Sequence, residues 1–425
     1  MEVCPPPIIA GQRENTVAQK RILLLSVVPP NTRYTGGIML HSMCQTLKAD
    51  NLSCFSVLNP RMKVQMHPDL EGIPYESVLR PREAQVRHFP RRLGSLECFF
   101  KETYTASVTI PQLARQVRDF AARTKPDLIF CTLEGQTMIR LAAQMQKTLP
   151  LPMVTQVWDP PEWWMRSNSV DGWSIKSILK TFSDVLRNSS AVAAASWSMA
   201  ETYKREHGAN TIAVVPGLPE AWAKQPAPRL NEGNKLVIGF CGQMYSKDEW
   251  NALLETLDAL DWKVEGRDVE IRMLGREFEL EGFSKRNIHY LGWRDQVESI
   301  ENLSQCDILY CPYFFDRELE STSRLSFPSK LTTYLAAGRP VLLHGPEYSS
   351  PFKFLKENDA GMLCHGLAKS AIANALSRLV YDTDRYAQLA ANGNKAFVRH
   401  LTDEHMRAQF LKTIAIASAK RGSPQ

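Results

Sequence analysis

FPSKLTTYLAAGRPVLL, residues 327–343, holds a short helix and a buried strand in one stretch. Pro328 and Ser329 are typical of the first positions of a helix, and Gly338 is typical of the residue that ends one. The apolar run over residues 340–343 follows at once, as in a strand buried on both faces. A helix that ends directly at such a strand predicts the repeating unit of a parallel α/β sheet.

The same alternation continues on both sides of this stretch. Residues 136–149 and 371–380 have apolar residues at helical spacing on one face. The pattern predicts an α/β fold with two Rossmann-like doubly wound parallel sheets, and 425 residues suit two such domains. The other apolar runs of strand length cover residues 22–28, 128–131, 153–157, 191–195, 212–215, 236–241, 269–274 and 308–311.

A boundary between the two domains is expected where proline and glycine crowd together, between residues 216 and 235. Because open α/β sheets bind ligands at the carboxyl ends of their strands, the two domains are expected to face each other across a cleft. The predicted organisation is a polar leader over 1–20, an N-terminal Rossmann-like domain over 21–218, a linker over 219–235, a C-terminal Rossmann-like domain over 236–400, and a C-terminal helix over 401–425 that packs back toward the N-terminal domain.

Charge and cysteine content narrow the class of protein. The 51 Lys and Arg residues exceed the 45 Asp and Glu residues by six, and residues 1–220 hold the whole excess, with 25 basic and 19 acidic residues. This small excess does not indicate nucleic-acid binding, but it favours an acidic ligand or an anionic membrane surface. Nine scattered cysteines without a CxxC pair argue against a zinc site or a disulfide framework.

The loop after the first predicted strand reads PPNTRYTGG, residues 29–37, and leads into a predicted helix. Gly36 and Gly37 allow the backbone to approach a ligand closely, and the N-terminus of the helix offers free N–H groups to a phosphate. The spacing differs from the GxGxxG of a dinucleotide site and from the GxxxxGK[ST] of a P-loop. A tight turn that binds no ligand is the alternative.

Further motifs follow in a fixed order along the chain. They are VIGFCG at 237–242 with Lys247 beyond it, IHYLGW at 288–293, CDILYCP at 306–312 and ENDAG at 357–361. Together with residues 29–37 and 327–342, they resemble the motifs of the retaining glycosyltransferases of family 4, which have the GT-B fold. The variant that this chain resembles has Pro-Ser-Lys in the C-terminal signature. The resemblance covers the C-terminal half nearly throughout and the N-terminal half at intervals.

The resemblance implies a hexosyltransferase-like enzyme that moves a sugar from a UDP-, GDP- or dTDP-sugar to a hydroxyl of a glycan or lipid-linked acceptor. It also implies retention, a role in cell-surface polysaccharide or related glycan synthesis, and no required metal or cofactor. Lys330 and Lys247 are implied to stabilise the charge of the leaving diphosphate. The implied donor-binding residues are Gly36, Gly37, Gly242, Gly292, Trp293, Ser329, Lys330 and Thr333.

The sequence departs from that family at the reacting groups. Many relatives have two glutamates where this chain has Leu325 and Thr333, so recognition of the donor ribose must differ. Trp158 stands where relatives often have a histidine near the reacting sugar. Asp159 is then the candidate catalytic carboxylate, with capping of the next turn as its alternative role. The candidate acceptor-binding residues are Glu134, Trp158 and Glu162.

A basic stretch, RPREAQVRHFPRR at residues 80–92, precedes Leu93, Leu96, Phe99 and Phe100. This pattern suits an acceptor attached to a lipid phosphate, or peripheral contact with an anionic membrane. A solvated loop is the alternative. Since neither a signal peptide nor a spanning segment is recognised, a cytoplasmic protein is expected, peripheral on the inner face of the plasma membrane.

Two other functions fit the same motifs. A sugar-nucleotide epimerase of the same fold would bind the same diphosphate. A non-catalytic homologue that binds a sugar or a partner protein would explain the missing glutamate at Thr333 and the missing histidine at Trp158.

Overall fold

The computed structural model describes residues 20–86, 91–243, 246–275 and 287–419. The chain divides into two compact units: unit 1 comprises Met1–Val214 and Arg407–Gln425, and unit 2 comprises Val215–Met406. Residues 219–235, for which we predicted a linker, fall within unit 2. The predicted polar leader lies outside the described residues except for Lys20.

Unit 1 is built on one sheet of seven strands. The strands are β1 (Ile22–Ser26), β2 (Leu52–Leu58), β3 (Tyr75–Leu79), β4 (Leu128–Thr132), β5 (Met153–Val157), β6 (Ala191–Ala194) and β7 (Thr211–Ala213). All pairs are parallel, in the order β3-β2-β1-β4-β5-β6-β7. The order reverses at β1, where Ile22 pairs with Leu52 on one side and with Leu128 on the other.

Helices connect these strands and bury one face each. In the described part of unit 1 they are α1 (Thr35–Cys44), α2 (Arg91–Tyr104), α3 (Ile110–Thr124), α4 (Gly135–Thr148), α5 (Pro161–Ser167), α6 (Gly172–Asn188) and α7 (Trp197–His207). In α3, Leu113, Val117 and Phe120 recur every three or four positions and are buried. The side chain of Asp171 accepts hydrogen bonds from the first N–H groups of α6, and therefore fixes where that helix begins.

Unit 2 contains a second sheet of seven strands. The strands are β8 (Lys235–Cys241), β9 (Lys263–Val264), β10 (Arg267–Leu274), β11 (Ile288–Gly292), β12 (Ile308–Pro312), β13 (Val341–His344) and β14 (Met362–Cys364). The parallel order is β11-β10-β8-β12-β13-β14, and β9 pairs with β10 in the antiparallel sense. This order reverses between β8 and β12.

Aromatic side chains fill the centre of unit 2. The ring of Trp250 lies edge-on to Phe240 and to Tyr310, with centroids 5.1 Å apart in both pairs. The helices described here are α8 (Lys247–Ala259), α9 (Gln296–Ser304), α10 (Glu320–Leu325), α11 (Ser329–Ala336), α12 (Ser350–Glu357), α13 (Lys369–Tyr381) and α14 (Thr383–His400). The last helix, α15 (Asp403–Ala419), belongs to unit 1 from Arg407 onward, where Phe410 packs on Phe130 with ring centroids 5.3 Å apart.

The predicted fold class is confirmed, since both units are α/β with parallel sheets. Residues 327–343 form α11 and β13, and Gly338 between them has a φ of +70°, which glycine adopts without strain. In unit 1, the strands β2 and β3 were not predicted. Ser53 and Ser56 interrupt the apolar run of β2, and the edge strand β3 contains the exposed residues Glu76 and Ser77. Among the described residues, no helix combines the length and the hydrophobicity that crossing a bilayer requires.

Candidate active site

In unit 2, β8 and β12 lie side by side at the point where the strand order reverses. The loops that follow these two strands therefore diverge from one edge of the sheet, and open α/β sheets bind ligands at such a point. Gly242 follows β8, and α11 begins at Ser329, after β12. The first turn of α11 meets the loop after β8 through Lys330.

Lys330 is held against the end of β8. Its Nζ donates a hydrogen bond to the carbonyl oxygen of Gln243 at 3.1 Å and lies 4.5 Å from the ring centroid of Phe240. Burial lowers the pKa of Lys330 below its ordinary value, while the neighbouring Cys311 and Cys241 thiols act in the opposite direction. An ammonium group with little water around it attracts an anion more strongly than a fully solvated one does.

Glycines allow the loops after β8, β10 and β11 to approach closely. Gly242 has a φ of +98°, and Lys330 Cε lies 3.7 Å from the position that a Cβ on Gly242 would take. A Cβ on Gly275 would lie 2.8 Å from the carbonyl oxygen of Gly242. The N–H of Gly275 donates to the carbonyl oxygen of Gly292 at 2.9 Å. Gly242 and Gly292 are thus joined through Gly275, which the sequence analysis missed although it directly follows an apolar strand.

The other predicted donor residues of unit 2 differ in exposure. Ser329 is exposed at the start of α11, which has no side-chain cap. Thr333 is buried, and its Oγ1 accepts a hydrogen bond from Gln296 Nε2 at 2.6 Å, so its hydroxyl proton can still be donated elsewhere. Trp293 is 76% exposed, and Lys247 is an exposed residue at the start of α8.

In unit 1, Asn31 organises the loop after β1. Its Nδ2 donates to the carbonyl oxygen of Pro29 at 2.8 Å, and its Oδ1 accepts from the N–H groups of Arg33 and Tyr34 at 2.9 Å each. The backbone N–H of Asn31 donates to the carbonyl oxygen of Gly37 at 3.1 Å. A Cβ on Gly37 would lie 1.7 Å from Asn31 Nδ2, so any larger residue would force the Asn31 side chain out of its hydrogen bonds.

Gly36 lies against the indole ring of Trp158. A Cβ on Gly36 would stand 2.6 Å from Cη2 of that ring. The sequence motif predicts a ligand beside both glycines, whereas protein side chains, Trp158 and Asn31, fill the Cβ side of each. Packing within unit 1 accounts for Gly36 and Gly37, and their contact with a donor stays a prediction.

Carboxylates gather after the neighbouring strands β4 and β5. Glu134 follows β4 and Asp159 follows β5. Burial raises the pKa of Glu134 to about 7, with Arg80 opposing this shift and the Asp159 and Glu83 carboxylates adding to it. Glu134 is nevertheless an exposed residue by accessible surface, so protein atoms surround its carboxyl group without closing it off from solvent. It is therefore a group that can take up or release a proton near neutral pH.

The loop after β3 supplies two residues that the sequence analysis did not single out. Glu83 Oε1 accepts a hydrogen bond from the N–H of Thr137, in the first turn of α4, at 3.0 Å. Arg80 lies 3.5 Å from Glu83, and both approach Gly135, where a Cβ would lie 2.7 Å from Glu83 Oε1. No local pattern reveals this contact, because about fifty residues separate Glu83 from the helix that it caps.

Known proteins match this chain in two ways. A family model matches one region of the sequence, and solved structures match nearly the whole fold. Residues 235–382, within unit 2, match the family model described as Glycosyl transferases group 1. No curated protein matches the chain. The structure of HepE from Anabaena, solved with UDP, is 16% identical, covers 93% of this chain and 99% of its own, and has a TM-score of 0.61.

Two further solved structures give the same result. Sucrose-phosphate synthase from Thermosynechococcus elongatus is 14% identical, with 92% of this chain and 97% of that chain covered and a TM-score of 0.62. The lipopolysaccharide outer core galactosyltransferase WaaB is 13% identical, with 92% and 98% covered and a TM-score of 0.61. The chain has the GT-B fold. The family match within unit 2 supports glycosyl transfer as its chemistry.

In this GT-B chain, Glu162 is placed differently from the other predicted acceptor residues. It lies in α5 and pairs with Arg166 one turn later, with Oε1 2.7 Å from Nη2. Trp158 and Glu134, in contrast, lie directly after strands of the sheet. Glu162 therefore has an ion-pair partner of its own, and its contact with an acceptor stays a prediction.

Proposed function

We propose that this chain is a glycosyltransferase that uses a nucleotide sugar and transfers a hexose, with retention, to a hydroxyl of a glycan or lipid-linked acceptor. The observation that carries the proposal is Lys330, held beside Gly242 and the start of α11 at the switch point of the unit 2 sheet. The proposed setting is cell-surface polysaccharide or related glycan synthesis, and the proposed donor is a UDP-, GDP- or dTDP-sugar.

The chemistry of the leaving group explains why these residues suit the reaction. Departure of a nucleoside diphosphate develops negative charge on the phosphate oxygens. A desolvated ammonium group and the N–H groups at the start of a helix stabilise such charge without moving, as preorganised groups do in other enzymes. We assign this role to Lys330 and Ser329, with Lys247 as a second, exposed cation.

A uridine nucleotide is the first candidate for the donor. Structures of HepE were solved with UDP and with UDP-glucose, and their fold matches this chain. We propose that the base contacts the backbone near Gly292 and the exposed ring of Trp293. The buried Thr333 hydroxyl, which already accepts a hydrogen bond from Gln296, would donate its proton to the ribose.

For the acceptor, we propose the end of the unit 1 sheet where Glu134 and Asp159 lie. Asp159 would order the acceptor hydroxyl, and Glu134 would share its proton, since burial brings the pKa of Glu134 to about 7. Trp158 directly precedes Asp159, and we propose that its aromatic ring contacts the acceptor sugar.

A panel of UDP-, GDP- and dTDP-sugars tests the proposal with the full-length protein. Slow release of free nucleotide, together with a sugar transferred to water or acceptor, is the expected result. Formation of a new sugar nucleotide would instead identify an epimerase. A protein that binds free sugar but no nucleotide in a thermal-shift assay would be a non-catalytic homologue.

The surface of α2 supports a lipid-linked acceptor at a membrane. Leu93, Leu96, Phe100 and Tyr104 are exposed and recur at helical spacing, so they share one side of α2. Trp173, which is 60% exposed, comes from α6 and lies edge-on to an aromatic ring of α2. We call these five residues the α2 apolar surface.

Basic charge accompanies the α2 apolar surface. Lys176 and Lys180 are exposed and follow Trp173 at helical spacing on α6. Unit 1 as a whole has 29 basic and 18 acidic residues, a formal net charge of +11. Apolar and aromatic side chains beside lysines are typical of proteins that lie on anionic bilayers. We propose that this surface contacts the inner face of the plasma membrane, which implies a cytoplasmic protein.

Sedimentation with lipid vesicles tests this contact. The wild-type protein is expected to sediment with phosphatidylglycerol-containing vesicles and not with pure phosphatidylcholine. The double variant F100S/W173S should lose this binding, whereas Tyr381→Ser, which removes a 65% exposed aromatic residue from unit 2, should retain it. A wild-type protein that stays in the supernatant with anionic vesicles would exclude the proposed contact.

A further inference from the structure

Three side chains of the kinds that bind metal ions meet at the end of α1 in unit 1. His41 comes from α1, while His67 and Asp69 flank the start of a short helical turn, Pro68–Leu70. One ligand atom of each residue lies within 4.8 Å of the others. None of these residues belongs to the proposed donor or acceptor site.

The separations match those of ligands around one small ion. Asp69 Oδ2 lies 3.3 Å from His41 Nε2 and 3.5 Å from His67 Nδ1. Zinc binds imidazole nitrogen and carboxylate oxygen at about 2.0–2.2 Å in tetrahedral geometry, which places neighbouring ligand atoms about 3.3–3.5 Å apart. The three side chains already have this spacing around the Asp69 oxygen.

His41 Nε2 is available as a ligand. This ring nitrogen is buried and makes no geometrically defined hydrogen bond, and Asp69 Oδ2 lies 3.3 Å from it as its carboxylate neighbour. Two atoms that bind the same ion are typically this close without a hydrogen bond between them, because each atom points toward the ion.

The two imidazole rings are stacked, with centroids 3.4 Å apart and planes inclined by 14°. His67 Nδ1 accepts a hydrogen bond from the N–H of Asp69 at 3.2 Å. Coordination by His67 Nδ1 would replace this long hydrogen bond, and the rings would turn apart so that both nitrogens point to one centre. Asp69 is 64% exposed, so the ion can enter from solvent and water can complete its coordination.

We propose that His41, His67 and Asp69 bind one Zn²⁺ ion. The ion would join α1 to the loop after β2, whose His67 N–H donates to the carbonyl oxygen of Pro30 at 2.8 Å. Its effect is to tie the last turn of α1 to the His67 loop, which in turn contacts Pro30 in the loop after β1. The proposal does not depend on the proposed glycosyltransferase function, because the ion takes no part in the transfer.

Metal binding by the full-length protein, freed of metal with a chelator and then titrated with Zn²⁺, tests the proposal. One ion per chain and a higher melting temperature with Zn²⁺ are expected. Cobalt(II) in place of Zn²⁺ should give the visible absorption of a four-coordinate site. The variants His41→Ala and Asp69→Asn each remove a direct ligand. Their loss of Zn²⁺ affinity should therefore exceed the about 10–100-fold loss that follows removal of an outer-shell partner.

His207→Ala is the matched control, since His207 is a partly buried histidine of unit 1 that contacts Ser183 and no carboxylate of this group. It should bind one ion as the wild type does. His41→Ala removes no hydrogen bond of the apo protein, so its melting temperature in chelator checks that it folds. Absence of Zn²⁺ binding by the wild type, or unchanged affinity in folded His41→Ala, would overturn the proposal.

Discussion

Units 1 and 2 have net charges of opposite sign, and the proposed phosphate site lies in the negatively charged unit. Unit 1 has 29 basic and 18 acidic residues, a net charge of +11, whereas unit 2 has 22 basic and 27 acidic residues, a net charge of −5. Yet Lys330, the partly buried cation at the switch point of the sheet, belongs to the acidic unit.

The range of electrostatic interactions accounts for this difference. Exposed charges are screened over about 8–10 Å at physiological ionic strength, so a surface excess acts on large, extended partners such as a membrane. A single desolvated cation acts strongly on an anion in direct contact with it. Under the proposed function, net charge marks unit 1 as the unit that meets an extended anionic surface, and the local surroundings of Lys330 mark where a diphosphate binds in unit 2.

Removing the Lys330 cation is expected to have the largest effect. Lys330→Met should weaken UDP binding about 10–100-fold, the range expected for hydrogen bonds to charged groups. Lys353→Met, which removes an exposed lysine of unit 2, should leave the dissociation constant unchanged. Isothermal titration calorimetry with UDP provides the measurement. If both variants bind UDP equally well, Lys330 contributes no more to UDP affinity than an exposed lysine of unit 2 does.

The loop after β1 in unit 1 is expected to be intolerant of added volume. Gly37→Ala should lower the free energy of unfolding by about 1–3 kcal/mol, because the new Cβ would meet Asn31 Nδ2 at 1.7 Å. Gly172→Ala, at a glycine with no atom within 4 Å of the added Cβ, should be nearly neutral. Urea unfolding measures both. Equal urea midpoints for the two variants would mean that Asn31 moves aside easily. Close approach of a ligand, rather than packing on Asn31, would then be the reason for a glycine at position 37.

The raised pKa of Glu134 makes a pH-dependent contribution to stability. Since its pKa is about 7 in the folded protein and 4.5 ordinarily, the contribution is complete below about 4.5 and is lost as the pH rises to about 7. Glu134→Gln should therefore gain stability relative to the wild type at pH 8 and show no gain at pH 4. Urea midpoints at both pH values provide the measurement, with the exposed Glu201→Gln as the control.

The same variant tests the role of Glu134 in the reaction. The dependence of the transfer rate on pH should lose its inflection near pH 7 in Glu134→Gln. An inflection that persists in the variant would show that another group transfers the proton.

The smallest effect is expected at Glu162, on the surface of unit 1. Glu162→Gln removes an exposed ion pair with Arg166 and should cost about 0.3–0.5 kcal/mol of stability. Its predicted contact with the acceptor requires a higher KM for the acceptor as well. Glu206→Gln, which breaks a comparable exposed pair with Arg205, should leave that KM unchanged. A KM equal to that of the wild type would limit Glu162 to its ion pair.

Local signals explain how much of the structure the sequence predicts. The start of α11, its end at Gly338 and the strand that follows depend on neighbouring residues, and all were predicted. The edge strand β3 was missed because only its backbone pairing shows that it is a strand. In the candidate site, motifs predicted Gly242, Gly292 and Lys330, whose roles stay predictions, and no motif pointed to Glu83 or Asn31.

Local sequence signals were sufficient to predict the parallel α/β architecture, because apolar runs and helix end signals are encoded within a few neighbouring residues. Only the tertiary structure showed that Asn31 and Trp158 fill the space beside Gly36 and Gly37. It alone brought His41 next to His67 and Asp69. These contacts join residues that are distant along the chain, and their burial, spacing and pKa arise from packing that no local pattern contains.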